Sequence, residues 1–150
     1  MKRTLLLAAT IVVLSAAVSH ALVLKVKDEG SGNVELRVGM SNEDYKAAMG
    51  MMGGSNQVVD SDIPGMNDMN FVIPLTAKRY AEMQAQAVTD SPTGTPWCVK
   101  CSGDNGKTQF TTKAKHAFGA ALIATKQCQE KTKSPNLEIP GSGSCALDGN

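Results

Sequence analysis

Pro96-Trp97-Cys98-Val99-Lys100-Cys101 opens the half of the chain that holds all four cysteines, with Cys128 at the far end of an Ala-rich helical pattern and Cys145 in a Gly/Ser-rich tail. Successive side chains of an extended segment point to opposite faces. Trp97, Val99 and Cys101 therefore share one face, and Cys98 and Lys100 the other. A bond between Cys98 and Cys101 would need a local turn. Four cysteines allow three pairings, and the face argument favours Cys101 with Cys128, leaving Cys98 for Cys145. The even count predicts that no thiol is free.

Outward from that stretch, Gly103-Asp104-Asn105-Gly106 is a turn signal, and Lys107 to Thr111 completes a hairpin. Thr111 or Thr112 is expected to cap the longest helix, whose stripe of Ala114, Ala117, Phe118, Ala121, Leu122 and Thr125 reaches Cys128. Pro135 and Pro140 fall in a tail, from about residue 134, with little regular structure expected.

Toward the N-terminus, Leu22, Leu24 and Val26 alternate with Lys25 and Lys27. After Asp28-Glu29-Gly30-Ser31-Gly32-Asn33, Val34, Leu36 and Val38 alternate with Glu35 and Arg37. This predicts a hairpin with Lys25 and Lys27 able to face Glu35. Ser41-Asn42-Glu43-Asp44 reads as a helix start, with Tyr45, Ala48, Met49 and Met52 at helical spacing and Gly53-Gly54 as the stop. Residues 55–70 are polar, with a brief strand at Gln57-Val58-Val59. Phe71-Val72-Ile73 suits a buried strand that Pro74 confines to an edge or an end. Thr76 is expected to cap a further helix that places Tyr80, Met83, Ala87 and Val88 on one side, and Asp90-Ser91-Pro92 ends it.

The first 21 residues have the three parts of an export signal. Lys2 and Arg3 form the basic start, Leu5 to Val18 the apolar run, and Ser19-His20-Ala21 the small-residue cleavage site. The remaining 129 residues, 22–150, are expected to fold as one exported domain, periplasmic or secreted. The apolar run is shorter than a membrane span, and none is expected in the mature chain. Loss of Lys2 and Arg3 leaves 13 basic against 14 acidic side chains. The basic excess in residues 91–150 is all Lys, without interleaved Arg and aromatic residues, so nucleic acid is not an expected partner.

Trp97-Cys98-Val99-Lys100-Cys101 resembles the Trp-Cys-x-x-Cys motif of the thioredoxin family over these five residues. The resemblance implies thiol–disulfide exchange by Cys98 and Cys101, with the first cysteine activated at a helix N-terminus. Here the motif follows a Pro/Gly/Thr linker and precedes the turn at Gly103. Met49-Gly50-Met51-Met52 and Met66-Asn67-Asp68-Met69 resemble the spaced thioethers of exported copper-handling proteins, which makes Met49, Met51, Met52, Met66 and Met69 the candidate Cu(I) ligands. Met49, Met52 and Met83 also fall on helix core faces, where Met fills irregular gaps. Residues 60–71 resemble a calcium loop but put Pro64 and Phe71 where oxygen ligands belong. One CxxC pair is half of the usual zinc signature, and Ser102 stands where haem attachment needs His. His116, the one histidine beyond the leader, is expected on a helix surface.

The sequence therefore predicts an α+β fold, with a small antiparallel sheet built from hairpins and about three helices packed on one face, stapled by disulfides through Cys98, Cys101, Cys128 and Cys145. The expected role is that of an exported non-enzymatic binding or accessory protein. It needs no cofactor, and its partner is another protein or a cell-envelope component. The alternatives are a thiol–disulfide protein using Cys98 and Cys101 and a copper-binding protein using the Met-rich segment.

Overall fold

Alternating apolar side chains set up two long strands, β1 (Leu22–Gly30) and β2 (Asn33–Met40), in the computed structural model of the chain, which describes residues 22–40, 48–50 and 69–146. Their register places Lys27 opposite Glu35 and Lys25 opposite Arg37. The turn between them is shorter than the sequence suggested. Ser31 and Gly32 both adopt positive φ, the conformation of a two-residue turn that follows the strand twist. Residues 48–50 are helical with Ala48 buried, and the rest of the helix expected from Ser41 to Met52 lies outside the described residues. So do the leader, the Gln57–Val59 strand and residues 60–68 of the calcium-like loop, whose last three residues are extended.

β3 (Met69–Thr76) pairs with β2 and forms one edge of the sheet, where Pro74 costs no ladder bond to a further strand. Thr76 Oγ1 then accepts from the Arg79 N–H at 3.1 Å and caps α1 (Ala77–Asp90). Met83, Gln84 and Ala87 are its buried residues, whereas Val88 is 57% exposed. The expected α1 stripe was therefore one position too wide.

A short 3₁₀ turn, Ser91–Thr93, leads into β4 (Thr95–Cys101), which pairs with β5 (Gln109–Ala114). Strand β5 runs three residues beyond Thr111, and α2 (Ala117–Thr132) begins with the extended His116 as its N-cap residue. The expectation of a cap at Thr111 or Thr112 is thus corrected. Those β-branched residues continue the ladder opposite Cys98 and Trp97, and tertiary pairing outweighs their capping preference. The Trp97 indole N–H fixes the strand end by donating to the Ala114 carbonyl at 3.0 Å.

The larger correction concerns the tail. Leu137–Ile139 form β6, and this three-residue strand sits between β1 and β4 in a six-stranded antiparallel sheet ordered β3-β2-β1-β6-β4-β5. Two long helices, rather than about three, are present among the described residues. The pairing registers put Leu22, Leu24, Leu36, Val38, Met40, Ile73, Val99, Cys101, Thr112, Ala114, Leu137 and Ile139 on a single face of the sheet. All twelve are buried. The apolar ones share one core with Met83 and Ala87 of α1 and with Ala117, Phe118, Ala121, Leu122 and Cys128 of α2. The opposite, outer face carries Lys25, Lys27, Glu35, Arg37, Lys100, Lys113 and Glu138.

Gly94 joins the 3₁₀ turn to β4 where the chain passes directly over the end of β5. A Cβ placed there would lie 2.3 Å from the Ala114 carbonyl carbon. That backbone is held by the Trp97 indole and cannot retreat cheaply. Gly94→Ala is expected to destabilise the fold by about 2–3 kcal/mol, measured by denaturant unfolding. A change below about 0.5 kcal/mol would contradict this packing.

Candidate functional site

β4 is bonded on both of its faces. Cys101 points into the core and joins Cys128 near the end of α2, both residues 0% exposed. Cys98 points to the outer face and joins Cys145, and both are half-buried. No cysteine is free. The alternation of side chains along an extended segment accounts for this: positions 98 and 101 differ by an odd number of residues, so their sulfurs cannot share a face. Cys98 and Cys101 are not bonded to each other, and β4 is a strand rather than a helix N-terminus. These were the two features that thiol–disulfide exchange would have asked of this pair.

The outer bridge holds the chain end across β4 and β5. The Gly143 N–H donates to the Pro96 carbonyl at 2.9 Å, and the Cys145 N–H donates to Thr111 Oγ1 at 3.2 Å. Between this segment and the sheet lies an open hollow of about 330 Å³. Cys98, Lys100 and Gln109 line it on the sheet side, and residues 140–144 with Ala146 on the other. Gln109 is fixed by donation from Nε2 to the Gly106 carbonyl. Asp104 organises the adjoining turn by accepting from the Thr108 hydroxyl and, at 3.1 Å, from the Thr108 N–H. Those bonds hold its carboxyl below the usual range, so Asp104 acts as an ionised turn brace.

On β2, separated from the hollow by β6 and β1, Arg37 donates to Glu35 Oε1 at 2.8 Å, which keeps Glu35 ionised below its ordinary range and Arg37 above its own. Lys25, directly opposite Arg37, adds a second cation. Two cations side by side repel, and an anionic partner relieves that repulsion.

The sequence did not signal the hollow, because its two sides are brought together by long-range links: β6, the Cys98–Cys145 bond and the hydrogen bonds of the Gly143 and Cys145 amides. Of the thioether candidates, Met49 is half-buried in the helical stretch, and Met69 lies on β3, opposite Met40. Met51, Met52 and Met66 are outside the described residues. Met40 and Met83 are core residues, 0% and 2% exposed. Among the described residues no three His, Cys, Asp or Glu side chains converge as a metal site would need, and no helix is long and apolar enough to cross a membrane. His116, expected on a helix surface, is the half-buried residue that precedes α2.

Comparison with protein-family models, with curated proteins and with solved structures finds no match to this chain.

The difference in burial predicts two reductive behaviours. Under native conditions dithiothreitol is expected to open Cys98–Cys145 while Cys101–Cys128 resists until the protein unfolds. Alkylation followed by peptide mass spectrometry distinguishes the two bridges. Equal rates, or earlier loss of Cys101–Cys128, would contradict the arrangement.

Proposed function

We propose that this chain is an exported, non-catalytic binding protein whose outer sheet face docks an acidic surface of another protein. The observation that carries this reading is the placement of the outer disulfide. It fastens a Gly/Ser segment onto the sheet face where Lys25, Lys27, Arg37, Lys100 and Lys113 outnumber Glu29, Glu35 and Glu138, and so builds a fixed hollow on a face of net positive charge. A rigid surface loses little conformational entropy on binding, which favours recognition by a preformed site. In this reading the helices cover one face of the sheet and leave the other to the partner.

Export is supported by one further feature: the two disulfides belong in an oxidising compartment.

A non-catalytic role is supported by where the polar groups spend their hydrogen-bonding capacity. Asp104 is engaged in a turn, Glu35 with Arg37, and Tyr80 with Thr125. Each stabilises local structure instead of facing a common reaction centre.

The test is site-specific photo-crosslinking in the cells that make the protein, with a photoreactive residue at Lys25 or Lys113 and, as a control, at Lys126 on α2. The expected result is one protein adduct of defined mass from the two outer positions, lost in the double variant Arg37→Glu, Lys100→Glu. Adducts only from position 126, adducts to lipid or polysaccharide, or no adduct at all would overturn the reading.

A further inference from the structure

α1 and α2 meet along a seam of small residues, where Gly119 lies beside Ala87 of α1 and Ala114 of β5. An open groove of about 290 Å³ lies where Tyr80 and Gln84 of α1 meet Thr125 of α2. Val26 and Pro135, with the ring of Tyr80, give it largely apolar walls, and Lys126 and Glu130 on α2 place one charge of each sign around it. Its volume is at the lower end of the range for small-molecule pockets, about 300 Å³.

Gln84 and Thr125 line the groove although they are only 7% and 2% exposed. The Tyr80 hydroxyl donates to Thr125 Oγ1 at 2.9 Å, and Gln84 Nε2 donates to the same oxygen at 2.9 Å. Thr125 Oγ1 in turn donates to the Leu122 carbonyl at 2.9 Å, and Gln84 Nε2 reaches that carbonyl at 3.1 Å.

This pattern fixes the orientation of the Gln84 amide. The Leu122 oxygen can only accept, so the NH₂ end must face it. Both amide hydrogens are then used, and no donor among the described residues reaches Gln84 Oε1. An acceptor carbonyl on a residue only 7% exposed, left without a donor among the described residues, costs free energy that a bound group with an N–H or O–H would recover.

We infer that this groove is a binding site for a small, neutral ligand with an apolar ring and one N–H or O–H donor, the donor bonding Gln84 Oε1 and the ring lying between Tyr80, Val26 and Pro135. Apolar walls supply the burial and the buried Gln84 acceptor supplies orientation, while Gln129 and Glu130 lie at the more polar side of the groove. The opposite charges of Lys126 and Glu130 give a net ionic ligand no preference. The site uses none of the outer-face residues, so it stands independently of protein docking there.

Indole and its isostere benzofuran, which has an oxygen in place of the N–H, are suitable probes. Titration of the intact protein, followed by ¹H–¹⁵N spectra, is expected to give saturable shifts for indole at the Gln84 side-chain amide and the Thr125 backbone amide. Benzofuran should bind about tenfold more weakly, because it leaves the buried acceptor unpaired. Gln84→Met should retain the fold and bring the two probes to within about twofold of each other. If that variant fails to fold, the wild-type comparison decides alone. Equal binding of the two probes, shifts that do not saturate, or shifts that map to the Cys98–Cys145 hollow would overturn the site.

Discussion

Three residues hold the sheet together. The β1–β2–β3 meander leaves the free edge of β1 exposed, and the β4–β5 hairpin leaves that of β4. Each edge is a row of backbone donors and acceptors needing partners once it is buried. β6 satisfies both: Leu137 pairs with Leu24 on one side and Cys101 on the other. Asn136 extends the join by one residue with both of its polar ends. Its Oδ1 accepts from the Val26 N–H at 2.9 Å, while its backbone carbonyl accepts from the Ser102 N–H at 2.9 Å. Leu137 and Ile139 are fully buried on the core face. The same short segment therefore completes the hydrogen-bond ladder and the apolar surface.

So short a strand is held in register mainly by its anchors. Cys128 and Cys145 lie on either side of it in sequence, and both are bonded to β4, through Cys101 and Cys98 respectively. The connection that carries β6 thus has both ends fixed to the strand it must pair with. The bridges close loops with sequence separations of 27 and 47 residues, and in the chain-entropy account each removes about 3–4 kcal/mol of unfolded-state freedom. One bridge is enclosed by the core, and the other creates the outer-face hollow. Scaffold and binding surface consequently share a cause.

The sequence made visible whatever depends on local pattern. Alternation from Leu22 to Val38 specified the first hairpin, the Thr76 hydroxyl marked a helix start, and Pro74 marked an edge. The face argument at Cys98 and Cys101 reached the pairing found in the structure, because strand alternation is a local property with a long-range consequence. β6 was illegible for the opposite reason. Three residues between Pro135 and Pro140 carry no measurable period, and the β1 residues that make them a strand lie more than 110 positions away. The overrun of β5 past Thr111 has a related cause: Thr112 can cap a helix or extend a strand, and only its place opposite Trp97 decides. The α1–α2 groove depends on which turn of one helix meets which turn of another. No residue in it announces a site by type, and Gln84 is informative only once its neighbours are known.

The account depends on β6 making one cooperative unit of the meander and the hairpin. Native-state hydrogen exchange measures this directly by comparing the free energies of opening for buried amides of β1 and β2 with those of β4 and β5. The account predicts one shared value for Leu24, Leu36, Val99 and Thr112, reduced together in Asn136→Ala. Separate values for the two halves, with the β4–β5 amides unaffected by that substitution, would contradict it.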